Sequence, residues 1–579
     1  FQCGILFGNA GTRGTVQTTT GSITVVGSVN GSNYTNHRGI VFWPGTIQST
    51  SGGNISLTGT GSNTGTGTWD IQFAQTGNVV STSGTVSMTG TTSSAGIILP
   101  STTVTAGTTG FTATAPAIDP NGLTLNSSGP VVFEPYAASF VSAFDTTGAI
   151  INTTATSLRI GKAGTGGSTQ NSANVTLGNS SVTSGTNTAN STKIAGPINI
   201  YGGNVTINTA LENTVTTAGS NNILLKATAG ISVGAYNVKT ANGDIVYWSN
   251  ADGSVDGPII TSTGTITTGG GNFVAAGGAT TDANGYPNGW AEGIDTSGVY
   301  GVSLGGNITT SGGKVIAIGE GPGLNPNTIT AGVYIAGGVT VSTGAGDQTY
   351  TGRVASTNTV TSSNTYGILG SYGTLVTFTA TTGNITFSGD ASLSASYNNR
   401  QGVLFNPGSI TTTTGNISIT GKSVNKTASR DVWFFTQATA SSVSSTSGNI
   451  TITGTGDGIC DVQNATFSTS GTELFTCASM SFSASNVSMN GTGPLVVEPY
   501  GTDWVAETNT TNTTGALDMS TVTVASGKSS VRIGKAGSGG STQSTKTVSA
   551  PSASVAGPLS IYGGDIVLAG TTTVTHATA

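Results

Sequence analysis

Gly383-Asn384-Ile385-Thr386-Phe387-Ser388-Gly389, Gly415-Asn416-Ile417-Ser418-Ile419-Thr420-Gly421 and Gly448-Asn449-Ile450-Thr451-Ile452-Thr453-Gly454 are one phrase, returning at a nearly constant step. Between its glycines, apolar and polar residues alternate with period two, the pattern of a strand with one face in a core and one outside. Ile, Phe and Thr suit such a strand, and the bracketing glycines supply turns. The phrase occurs earlier as Gly21–Gly27, Gly53–Gly59 and Gly84–Gly90, at the same spacing to within a residue or so. Variants run through the middle, at Gly243-Asp244-Ile245-Val246-Tyr247-Trp248, Gly271–Gly277 and Gly313–Gly319. No segment carries a sustained 3.6-residue apolar stripe, which predicts essentially no helix. A strand recurring every ~30 residues among further short strands fits one coil of a parallel β-helix. We therefore expect an all-β chain, a right-handed parallel β-helix (β-solenoid). At ~4.8 Å between coils its 579 residues would make about 19 coils and an elongated rod of roughly 90 Å.

Composition agrees. Gly supplies 90 of the 579 residues, charged residues only 7%, and hydrophobic residues 35%. The hydrophobic residues come in short Val/Ile/Leu/Phe runs rather than scattered, unlike a disordered polar tract. A net charge of −6 and a pI near 4.9 give no basic patch for nucleic acid. No apolar run approaches the ~20 residues of a membrane-spanning helix. Cys3, Cys460 and Cys477 are too few for a disulfide framework and form no CxxC metal pattern. Cys460 and Cys477 are open to two readings, a pair or two small buried hydrophobes.

A second, longer repeat overlies the first. Arg38–Gly45 returns as Gln401–Gly408, Val131–Tyr136 as Leu495–Tyr500, Leu158–Gly164 as Val531–Gly537, and Ala195–Gly203 as Ala556–Gly564, at offsets of 363, 364, 373 and 361 residues. This divides the chain into a first unit, 1–363, and a second, partial unit, 364–579, within one continuous solenoid without a true linker. We expect the chain to be a section of a longer array, with any export signal or anchor outside it.

The longer strings carry a resemblance: Ala195–Gly203 (AGPINIYGG), Asn222–Gly230 (NILLKATAG), Gly243–Gly253 (GDIVYWSNADG) and Leu158–Gly164 (LRIGKAG). In fixed order they resemble the giant repetitive surface adhesins of Gram-negative bacteria, Bacteroidota in particular, and more broadly the filamentous-haemagglutinin-like β-helices. The resemblance implies an exported, extracellular fibre at the cell surface. It also implies attachment to prey, host, abiotic surfaces or glycans, and association of the chain with itself as a bundle or filament.

Parallel β-helices also include polysaccharide-cleaving enzymes, which need paired carboxylates or an acidic Ca²⁺ site with a nearby base. Here acids are sparse. The closest group, Asp282, Glu292 and Asp295, lies in the Gly/Pro/Asn-rich stretch 281–295, where the step from Gly271 to Gly313 is longer than its neighbours. This reads as an inserted surface loop. Tyr286, Trp290, Glu292 and Asp295 are its candidate contact residues, better suited to contact than to catalysis. Two histidines, His37 and His576, are far apart, and no GxSxG triad or phosphate-loop motif occurs. No catalytic, metal or cofactor residue is assigned. The duplicated charges Glu134, Arg159 and Lys162, with Glu498, Arg532 and Lys535, are open to two readings: ion pairs between coils, or lateral contacts between neighbouring rods. Three functions follow: the structural shaft of a surface fibre, a carbohydrate-binding or carbohydrate-cleaving β-helix, or a self-assembling sheath.

Overall fold

A computed structural model describes residues 2–9, 11–29, 36–61, 67–152, 154–164, 170–178, 191–216, 222–254, 257–294, 300–322, 329–355, 364–393, 399–424, 429–435, 439–482, 486–505, 516–537 and 543–575. The chain is all-β. Every described element is a strand, and consecutive coils pair in parallel as a β-helix. Each coil supplies one short strand to each of three sheets, taken in the same order every time. The chain forms two compact units: residues 1–254 with 262–268, and residues 255–261 with 269–579. This division follows packing, and its border falls well before the start of the second sequence repeat.

In the first unit the opening coils contribute Gln2–Phe7, Gly14–Thr18 and Ile23–Ser28 to the first, second and third sheets. The next coil repeats them as His37–Phe42, Gly45–Ser49 and Ile55–Thr60. Register is strict: Ile23 faces Ile55, and Ile55 faces Val86. Period-two alternation therefore becomes inward columns, such as Ile40 and Ile71, Ile47 and Val79, and Leu57 and Met88, all fully buried. Phe7, Phe42 and Phe73 stack face to face at 4.8 and 4.2 Å. Coil length is not fixed. Phe111 faces Val131 across a short coil, whereas the coil that brings Ile198 opposite Leu158 is twice as long. The ladder constrains only the strands, and the connections absorb the difference.

The second unit repeats the plan with Thr365–Gly370, Val376–Ala380 and Ile385–Asp390, followed by Arg400–Phe405, Gly408–Thr412 and Ile417–Lys422. Its core packs Tyr350, Phe387 and Phe405 at 4.8 and 4.9 Å between ring centres. The first sheet departs from simple in–out alternation here. Thr365–Gly370 and Arg400–Phe405 are buried at every residue. Leu369 and Leu404, which alternate with inward Ile368 and Val403, join Tyr366 and Ala331 in a second apolar cluster outside the main core.

Two corners explain the repeated phrase. Where the phrase carries Asn before the third-sheet strand, its side chain caps the next coil: Asn384 Oδ1 accepts from the Asn416 amide at 2.9 Å, Asn416 from Asn449 at 2.8 Å, and Asn449 from Thr472 at 2.8 Å. Each bond satisfies a backbone donor that the turn would otherwise leave unpaired. The preceding glycine is required by close approach, since a Cβ on Gly415 or Gly448 would lie 2.0 Å from the carbonyl oxygen of the coil before. The other corner is a seam where the third sheet meets the first. A Cβ on Gly352 or Gly389 would lie 2.0 Å from the carbonyl oxygens of Gly367 or Gly402.

Candidate functional site

The stretch 281–295 is more ordered than a plain loop. Phe273–Thr281 turns back on Pro287–Gly289 as an antiparallel hairpin projecting from the third sheet. The Asp282 carboxylate ties the turn, accepting from the amides of Asn284 and Tyr286 at 2.9 Å each, and these bonds hold its pKa below the usual range. The Tyr286 hydroxyl accepts from Asn272 Nδ2 at 2.8 Å. The Trp290 ring lies under the Arg353 guanidinium, 4.1 Å from its centre. Arg353 also pairs with Glu320, with Nε to Oε2 at 2.8 Å. Glu292 stands opposite Glu320 in register, so it heads a row that continues through Arg353, Asp390 and Lys422 on successive coils. Asp295 lies outside the described residues. Trp290 and Glu292 therefore lie beside a column of charges that alternates from Glu320 downward, whereas Tyr286 bonds to Asn272 at the other end of that strand.

The duplicated charges are brought together across coils. Arg159 Nη2 meets Glu134 Oε2 at 2.8 Å, and Arg532 Nη1 meets Glu498 Oε2 at 2.8 Å. Arg159 faces Val132 in the ladder, so Glu134 lies two residues along on the adjacent coil and on the same side. Lys162 is not on the strand. The strand ends at Ile160, Gly161 turns the chain at φ +79°, and Lys162 donates to the Ala137 carbonyl at 3.3 Å. Lys535 likewise donates to the carbonyls of Pro499 and Gly501, at 3.4 and 3.0 Å.

Other charges follow the same rule. Glu212 lies between Lys193 and Lys239 on the coils either side, at 3.1 and 3.6 Å. Lys314 meets Asp347, Lys422 meets Asp390, and Arg430 meets Asp461, again between neighbouring coils.

Four buried groups carry no sequence motif. Asp70 and Asp431 occupy equivalent places in the two copies, following Gly39 and Gly402 in the first-sheet column of the glycine seam. Asp70 accepts from the Gly61 amide at 2.7 Å and the Thr92 hydroxyl at 2.9 Å, and burial raises its pKa. Asp431 accepts from the Ser423 amide and hydroxyl at 2.7 and 2.8 Å and from the Gly456 amide at 2.9 Å. Burial nevertheless pushes its carboxyl up to about 6. Glu473 and Lys528 form the third and fourth, a pair at 2.6 Å with both side chains fully buried. An alignment of the two copies would have exposed Asp70 with Asp431. Period-two reading of Glu473-Leu474-Phe475-Thr476-Cys477 would have placed Glu473 inward. Cys460 and Cys477 are joined as a disulfide with Cα atoms 6.1 Å apart, and Cys3 is free.

Among the described residues, no three His, Cys, Asp or Glu side chains are grouped to hold a metal ion. A shallow depression on the second sheet of the second unit, lined by Thr411, Ser444, Thr446, Ser468, Ser470 and Asn490 among others, offers hydroxyls and amides but no ionisable side chain. Among the described residues, no helix is long and apolar enough to cross a membrane. No protein-family model, no curated protein and no solved structure matches the chain.

Proposed function

We propose that the chain is a structural shaft segment of a giant extracellular fibre or adhesin. In this reading it is a non-enzymatic solenoid that displays attachment functions at a distance and associates with further copies of itself. The observation that carries the reading is the use of charge. In a chain with so few charged residues, the ion pairs are made between coils, where they lock register, rather than gathered round a cleft. Catalysis on a polysaccharide calls for the opposite arrangement, ionisable groups converging on one open groove. The disulfide suits an oxidising compartment and so favours export.

The test is electron cryo-microscopy of material released from the cell surface. A fibre whose axial repeat equals one copy of the long sequence repeat is the expected result, and the number of chains side by side would give the state of association. Short discrete particles, or a soluble enzyme that shortens polysaccharides, would overturn the proposal.

A further inference from the structure

The third-sheet column of the second unit runs Ile385, Ile417, Ile450, then Glu473, then Leu495 and Val531. A carboxyl therefore sits in an otherwise aliphatic column. Its partner, Lys528, reaches it from two coils further on, past the coil that carries Leu495. Both side chains have zero exposure, and Lys528 Nζ lies 2.6 Å from Glu473 Oε2. Despite that distance, neither group makes a hydrogen bond of good angle to the other or to any described atom. The fold does not require the pair: the equivalent positions of the first unit are Phe111 and Ala155, both buried.

We propose that Lys528 and Glu473 are the two halves of an intramolecular isopeptide cross-link, formed by condensation after folding. The Lys528 nitrogen lone pair adds to Glu473 Cδ, and the new Nζ–Cδ bond forms. The carboxyl hydroxyl then leaves as water, taking a proton from the nitrogen. No oxidant, metal or co-reactant enters the balance. The reactive species are the neutral amine and the neutral acid, and burial favours both. It raises the Glu473 pKa against the pull of Lys528, and it lowers the Lys528 pKa against the pull of Glu473. Holding amine and acid in contact supplies the effective concentration that a bimolecular condensation in water lacks, and exclusion of water disfavours hydrolysis of the product. The disulfide at Cys477 lies on the same strand as Glu473. This part of the second unit would thus carry two covalent ties.

The test is the mass of the full folded chain after reduction of its disulfide. The expected mass is that of the sequence less one water, with trypsin failing to cleave after Lys528 and a branched peptide joining the segments that contain residues 473 and 528. The variant K528R keeps the positive charge but should run at its full sequence mass. A parent chain at full sequence mass, or a water loss that persists in K528R or maps elsewhere, would overturn the proposal.

Discussion

The two copies of the long repeat solve the same packing problem with different chemistry. In the first copy Ile97 and Ala115 are buried neighbours of the core, whereas in the second the same places hold Cys460 and Cys477, joined covalently. Phe111 and Ala155 in the first become Glu473 and Lys528 in the second. Two features do not change: the acid within the seam, Asp70 and Asp431, and the outer ion pair, Glu134–Arg159 and Glu498–Arg532. Inside the columns what matters is filling the space between coils, so apolar, ionic and covalent solutions are interchangeable. At the seam the requirement is to satisfy backbone amides that no strand can reach, and only a small acceptor in that place does so.

The largest effect is expected when one half of the buried pair is removed. Lys528→Ala should destabilise the second unit by roughly 3–5 kcal/mol, because it strands a buried carboxyl. Lys528→Ala combined with Glu473→Phe imports the first unit's residues and should recover the part of the loss that comes from the stranded carboxyl, but not the part that comes from the cross-link. Urea unfolding read by hydrogen exchange in the strand Glu473–Cys477 would measure both; equal instability of single and double variants would break the equivalence of the two copies. Exchanging the disulfide for the first unit's residues, Cys460→Ile with Cys477→Ala, should cost about 3 kcal/mol under oxidising conditions for a loop of this length. Reductant should abolish the difference.

The seam acid gives a smaller, pH-dependent effect. The Asp431 pKa is raised on folding, so its protonated form is favoured in the native state. Its contribution is fully present below about pH 4 and is lost as pH rises through about 6, with a span on the order of 3 kcal/mol. Asp347 and Asp503, whose pKa values are lowered by hydrogen bonds, act with the opposite sign. The measurement is therefore the difference between the parent and Asp431→Asn across pH 4 to 7, which should narrow as pH rises. A constant difference would remove the acid from this role. The smallest effect belongs to the shared outer pair. Arg159→Ala and Arg532→Ala should each cost under about 1 kcal/mol, with the cost shrinking in salt, because both arginines are more than a third exposed.

Much of this fold is written in the phrase itself. The alternation in Gly415–Gly421 gives the inward Ile417 and Ile419, and its recurrence gives the coil. Glu134 and Arg159 stand out because they are duplicated in a chain poor in charge, yet their pairing depends on register across a coil whose length varies from one turn to the next. The outgoing arm of the hairpin is legible from Gly271–Gly277, but the stretch 281–295 reads as a loop because the return strand within it, Pro287-Asn288-Gly289, has none of the residues that favour strands. Asp431 and Lys528 are harder still. Each is a single polar residue whose partners come from other coils, and local sequence holds no trace of that geometry.

The asparagine corner bears on how such a chain changes over generations. Asn384, Asn416 and Asn449 each present the same acceptor to the same backbone donor on the coil that follows. Unequal recombination that joins one corner to another would add or delete a whole coil and leave both new neighbours properly bonded. Length can thus drift by coils without passing through a misfolded intermediate, while a crossover out of frame with the corner would orphan an amide and be removed by selection.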